Sequence, residues 1–163
     1  MENSVGYQFV PTDEELVLDY LFNKAFGKPL PAKMIQEIAA SKLFEKPPKS
    51  LVTWSCGEKE WYFFIHDDEN IPSESEIIRI VGNGIGFWKS GGEEKSISDV
   101  KGFVLAFKKH LIYFSGTFSE AKKTHWKMDL YRLTTEFYTN FKGKNWELGR
   151  MRRGMDYSTT SCF

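Results

Sequence analysis

The stretch GIGFWKSGGEEK (84–95) gathers residue types that could do chemistry: glycines around an aromatic pair, then lysines and glutamates. Three readings fit at first sight: a phosphate cradle, a tight structural turn, or a loop that touches another macromolecule. The cradle fails on spacing. Gly82, Gly84 and Gly86 read GxGxG, and Phe87 stands where a dinucleotide fingerprint needs its third glycine. No GxxxxGK[ST] supplies the lysine and hydroxyl that hold phosphate and magnesium in a P-loop. His66, His110 and His125 are scattered, no HExxH or CxxC suits zinc, and no GxSxG elbow presents a serine. The carboxylates of DDE (67–69) fall in an expected turn, where solvation accounts for them. Nothing is spaced for catalysis, so an enzyme, a metal site, a cofactor and a small-molecule substrate are not expected.

Cations and aromatics remain. Lys89, Lys95, Lys101, Lys108, Lys109, Lys122, Lys123, Lys127 and Arg132 fall on or between expected strands. Lysines so placed can neutralise phosphates and release counterions, and a strand ribbon fits the major groove. Solvated strand faces explain the same pattern. Net charge is zero, yet residues 1–78 hold 7 basic and 14 acidic side chains, while residues 79–163 hold 15 and 8. A binding face built from the second half, or an unevenly charged solvated surface, follows.

The elements that must position these residues are legible from pattern. TDEELVLDYLFNKAFG (12–27) is a helix: Thr12 and Glu15 have capping-box spacing, and Asp13, Glu14 and Glu15 sit where the helix dipole favours negative charge. Leu16, Val17, Tyr20, Leu21 and Ala25 form its apolar stripe, and Gly27 stops it. A shorter helix is expected over 33–43. Strands are expected at 60–66, 103–116, 125–133 and 145–151, joined by glycine- and serine-containing turns, which favours an antiparallel sheet. In 103–116, Lys108, His110, Ile112 and Phe114 share a face if no bulge intervenes. The expected class is α+β, a twisted antiparallel sheet partly covered by N-terminal helices.

With 163 residues, 41% hydrophobic and 27% charged, the chain has the composition of one globular domain. Cys56 and Cys162 make no disulfide framework, residues 1–10 do not read as a secretory signal, and no apolar run is long enough to span a membrane. A soluble intracellular protein is expected.

The ordered blocks GYQFVPTDEELVLDYL (6–21), LFEKPPKSL (43–51), EWYFF (60–64), IRIVGNGIGFWKSGGEEK (78–95), KKHLIYFSG (108–116), HWKMDLYRL (125–133) and WELGRM (146–151) resemble the NAC domain of plant transcription factors. The resemblance covers residues 4–153 and leaves 154–163 as a short C-terminal tail. It implies a sheet packed between helices, binding to double-stranded DNA as a homodimer or a heterodimer with other NAC proteins, and sequence-specific transcriptional regulation in the nucleus. The family's WKATGxDK, the groove-entering element, is matched by Trp88, Lys89, Gly92 and Lys95, with Ser90, Gly91 and Glu94 standing for its alanine, threonine and aspartate. Arg79 matches the arginine ahead of it. Lys108 and Lys109 match a family lysine pair, Lys123 matches a later basic loop, and Lys122 and Lys127 support the set. Trp88 is expected to anchor the element in the core, and Lys89 and Lys95 to contact phosphates, because lysine acts as a point charge.

Departures from the family pattern are specific. The segment between Arg79 and Trp88 is two residues longer, Glu76 replaces a cation, and Thr117 and Glu120 replace two lysines. Loss of about three phosphate contacts would flatten the log–log salt slope by about 2.7. The family's dimer arginine is Gln8 here, facing its glutamate partner at Glu15. The tail is too short for the activation region into which family members usually continue: either the sequence is a piece of a longer chain, or it is a short form, which would act by occupying DNA or partners. The alternative reading is a NAC-fold interaction module that dimerises with full-length relatives and binds DNA weakly.

Overall fold

A computed structural model describes residues 10–31, 35–52, 60–66, 78–139 and 145–154. Gln8 and Glu76, both assigned roles from sequence, lie outside the described residues, as do the two cysteines.

The first helix starts as its sequence predicts. The Glu15 N–H donates to Thr12 Oγ1, and the Thr12 N–H donates to Glu15 Oε1. After Asp13–Glu15 the winding changes: Leu16–Leu21 is π-helical, with the Phe22 N–H donating to Val17 O five residues back, and Phe22–Ala25 returns to α. Leu16, Val17, Tyr20, Leu21 and Ala25 are all buried, so the apolar stripe keeps its role through the altered winding. Of the described residues of the helix expected at 33–43, Gln36–Ala39 is instead a strand, β1, and Ala40–Leu43 is helical. Strand pairing with residues far along the chain overrides the local helical pattern there. Pro48–Leu51 forms a short further helix, with proline at a position where no N–H is needed.

Seven more strands follow: β2 (Glu60–His66), β3 (Ile78–Val81), β4 (Gly86–Ser90), β5 (Lys95–Ser98), β6 (Val104–Ser115), β7 (Lys122–Leu133) and β8 (Trp146–Arg153). They form one sheet in the order β1-β2-β8-β7-β6-β4-β3, with β5 also on β6. The sheet is antiparallel as expected except at one edge, where β1 runs parallel to β2. β4 and β5 lie end to end along the same side of β6, pairing with residues 111–115 and 104–108 respectively. Gly91 to Glu94 cross the gap, and the Gly91 N–H donates to His110 O at 2.9 Å.

Side-chain alternation splits the core in two. On one face the first helix packs over Tyr62, Phe64, Ile97, Ala106, Tyr131, Leu133 and Leu148. On the other, Ala40, Leu43, Phe44 and Val52 cover Phe63, Ile65, Trp88, Leu111, Tyr113, Met128 and Met151. The sheet is therefore sandwiched between helices. The register of 103–116 meets two irregularities, one on each side: an extra β6 residue beside Ile97/Ser98, and residues 124–126 of β7 opposite Tyr113 alone. The second is a two-residue excess, which preserves which side chains share a face.

Candidate nucleic-acid interface

Trp88, the centre of the sequence motif, is fully buried between the sheet and the 40–44 segment, with Tyr113 beside it at 5.3 Å between rings. Its indole fixes β4 and cannot reach a ligand. Lys89, the next residue, must then point to the opposite face, where it is exposed. Cross-strand register puts Ile78, Lys89, Ile112, Lys127, Arg152 and Glu60 in one row over six strands. The strand spacing places Lys89 and Lys127 about 10 Å apart at the backbone. The first helix covers the neighbouring half of this face and leaves the row beside it.

Lys123 belongs to the same face, opposite Phe114, which in turn lies opposite Phe87. Lys122 points to the other face from the exposed end of β7. Lys95 opens β5 and is exposed, as is Lys101 in the turn that follows. No ion pair with another described residue is recorded for Lys89, Lys95, Lys122, Lys123 or Lys127. Ser90 is half-buried and Gly91 is exposed, at the mouth of the gap between β4 and β5.

Three expected contacts are placed differently. Lys108 lies directly opposite Lys95 and beside the first helix, and its side chain is 17% exposed. It binds Asp13 at 3.1 Å, and Tyr131 OH donates to the same carboxylate at 2.6 Å. Lys109 faces the other way, 12% exposed, with Glu94 at 3.7 Å. Arg79 shares its face with Trp88, not with Lys89, and its guanidinium lies 4.5 Å from the Phe44 ring centroid. Arg79 and Lys89 thus present to opposite sides of one ribbon. In each case an intrachain partner close in space, but distant or inconspicuous in sequence, takes the side chain.

Behind Lys108 is an ionic centre that sequence pattern does not signal. Asp129 is 1% exposed and accepts from Arg150 Nη2 at 3.0 Å, Arg152 Nη2 at 3.1 Å and His110 Nδ1 at 2.9 Å, with Lys108 at 3.9 Å. Burial, the largest single influence, would raise the Asp129 pKa, but the hydrogen bonds from His110 and Arg150 and the charges of Arg152 and Lys108 outweigh it and hold it low. Asp13 is held low in the same manner, burial being overcome by Tyr131, Lys108 and Arg150. Burial and the Asp13 bond push Tyr131 upward, so its hydroxyl stays a donor. This centre ties the start of the first helix to β6, β7 and β8.

Apolar exposure is the other feature missed in sequence. Ile78, Ile80, Ile85 and Phe118 all stand out near the β3–β4 ribbon. A signal was available: Phe118 sits in a loop otherwise made of small and polar residues, and Ile85 in a glycine turn.

Glu15 carries the capping box through Oε1, so any bond it makes across a dimer coexists with that contact. The Gln8–Glu15 pairing itself lies outside the described residues at its Gln8 end.

Comparison with known sequences gives a consistent result. The model of the family described as No apical meristem (NAM) protein matches residues 4–133. The chain is 38% identical over 150 residues to NAC domain-containing protein 55 of Arabidopsis thaliana, covering 90% of this chain and 45% of that one. It is 41% identical over 129 residues to NAC transcription factor 32 of the same plant, covering 78% of this chain and 48% of the relative. With NAC domain-containing protein 48 of Oryza sativa subsp. japonica it shares 39% over 129 residues, 78% and 40% of the two chains. The chain thus spans less than half the length of each of these relatives.

Proposed function

The chain belongs to the plant NAC family, and from that premise we propose that it is a sequence-specific DNA-binding regulator of transcription acting in the nucleus. The observation that carries this reading is the exposed lysine set. Lys89, Lys123 and Lys127 share one open sheet face, Lys95 opens β5 at one end of it, and Lys122 stands on the opposite face at the start of β7. The motif loop at 90–95 enters the major groove, and the lysines neutralise phosphates on either side of it. Trp88 supports the element from within. Lys108 and Lys109 serve it indirectly, by holding the helix and the Glu94 loop in place.

DNA is bound as a dimer, either of two copies or with another NAC chain, with Glu15 at the contact. Light scattering tests this: a monomer at micromolar concentration refutes the homodimer. The DNA contacts are tested by mobility shift across salt concentrations. Lys89→Ala, Lys123→Ala and Lys127→Ala should each flatten the log–log salt slope by about 0.9, while Lys108→Ala leaves it unchanged. Equal flattening by Lys108→Ala would show that this lysine contacts phosphate after all. The engagement of Lys108 and Lys109 inside the chain favours the second reading, an interaction module with weak DNA affinity. Binding with no salt dependence, or none beside co-purification with a longer relative, would establish that reading instead.

A further inference from the structure

DNA phosphates account for the lysines of the open face but not for the apolar side chains among them. Phe87 forms the floor of a hollow of about 200 Å³, walled by Ile80 and Phe118 and edged by Gly84, Gly86 and Gly116. Phe118 meets Phe87 edge-on at 4.6 Å between rings, and Phe114 stacks on Phe87 at 5.2 Å. Phe118 is nevertheless 61% exposed and Ile80 54%. A rim surrounds this hollow. Lys123 is opposite Phe114, Lys89 lies two residues beyond Phe87 on the same face, and Lys127 is one strand further, opposite Ile112. The short segment that carries Phe118 also holds one exposed carboxylate, Glu120. β3, which carries Ile80, is the last strand in the sheet order.

We propose that this hollow is a docking site for an acidic segment of a partner protein that carries a bulky apolar side chain. The apolar residue fills the space over Phe87, between Ile80 and Phe118, and the flanking carboxylates meet the lysine rim. Charge complementarity selects this occupant over a second copy. Self-association through this face would set one lysine rim against another, and like charges at close range oppose it. It also selects it over nucleic acid alone, whose phosphates would satisfy the rim and leave the apolar walls wet. Because Lys89, Lys123 and Lys127 are the same lysines assigned to phosphate above, the acidic segment and DNA exclude one another.

The test is fluorescence anisotropy with a labelled synthetic peptide, Glu-Asp-Phe-Asp-Glu-Ile-Glu-Asp, and a control in which serine replaces its phenylalanine and isoleucine. The intact chain should bind the first peptide about tenfold more tightly than the control, the difference expected for burying a large apolar side chain. Phe118→Ser and Ile80→Ser should each remove most of that difference without changing binding of the control. Both positions are exposed, so the variants keep the fold, and a thermal melt checks this. A duplex oligonucleotide should displace the peptide. Equal affinity for both peptides, or insensitivity to both substitutions, overturns the proposal, since the attraction is then charge alone. A change in sedimenting mass on Phe118→Ser would assign the hollow to a second copy and also overturn it. If duplex DNA fails to bind while the peptide binds as expected, the DNA reading falls and this one stands.

Discussion

Replacing Asp129 with asparagine is the sharpest test of how the basic half of this chain is held together. The substitution keeps the side-chain shape and removes one charge from a site 1% exposed. Lys108, Arg150 and Arg152 would then crowd around the half-buried Asp13, which lies 3.8 Å from Arg150, with their buried counter-charge gone. Removing one partner of a buried ionic group costs about 3–5 kcal/mol, and most domains have a total stability of only about 5–15 kcal/mol. At about 2–4 °C per kcal/mol for a chain of this size, the midpoint should fall by about 6–20 °C. Urea unfolding at several pH values adds a second signature. The native pKa of Asp129 is lowered, so its contribution is fully present above the unfolded value near 3.9 and is lost as pH falls through the native value below that. The gap between the native chain and Asp129→Asn should be constant from about pH 7 to 5 and shrink below about pH 4. A loss under about 1 kcal/mol, or a gap that does not close in acid, would refute the assignment of Asp129 as the ionic centre.

Tyr131→Phe removes the hydroxyl that donates to Asp13 at 2.6 Å. It should cost about 1.5–3 kcal/mol and raise the Asp13 pKa toward the ordinary carboxylate value, read by NMR titration. Gly86→Ala would place a methyl group 2.0 Å from the Tyr113 hydroxyl and 2.7 Å from Phe114 O. A loss of about 1–3 kcal/mol or more is expected in chemical denaturation, with Tyr113→Phe in the same chain, which removes the nearest clashing atom, recovering only part of it because the ring and backbone clashes persist. Thr12→Ala removes the acceptor for the Glu15 N–H, and about 1 kcal/mol should be lost, measured by thermal unfolding.

Local chemistry was readable wherever its partners were near in sequence. Thr12 and Glu15 are three residues apart, and the helix begins where their spacing says. The long strands β6 and β7 alternate visibly and form as expected. Gln36–Ala39 was misread because its decisive partner, Phe63 to His66, lies more than twenty residues away, and a parallel pairing leaves no hairpin signal. The π winding of Leu16–Leu21 has no simple sequence marker either. In the candidate interface, the motif fixed the strand and its buried tryptophan but not which lysines stay available. Lys108 and Lys123 look alike in sequence, yet only the former meets a carboxylate from a helix 95 residues earlier. Asp129 has no signature in the sequence because its partners at 108, 110, 150 and 152 converge only once three strands are paired.

The end-to-end placement of β4 and β5 on β6 has a consequence for how this surface can vary. Each short strand is anchored to β6 by its own ladder, and a backbone bond from Gly91 and the Lys109–Glu94 ion pair hold the span between them. The span therefore behaves as an insert in a rigid frame. Doubling the length of such a flexible link costs only about 0.6 kcal/mol in closure entropy. Residues 91–94 could be lengthened, shortened or recomposed while the flanking ladders keep their register, much as an exchangeable tip is changed on a fixed handle. Diversity at this surface can then be generated at one gap in the sheet, at little cost to the fold that carries it.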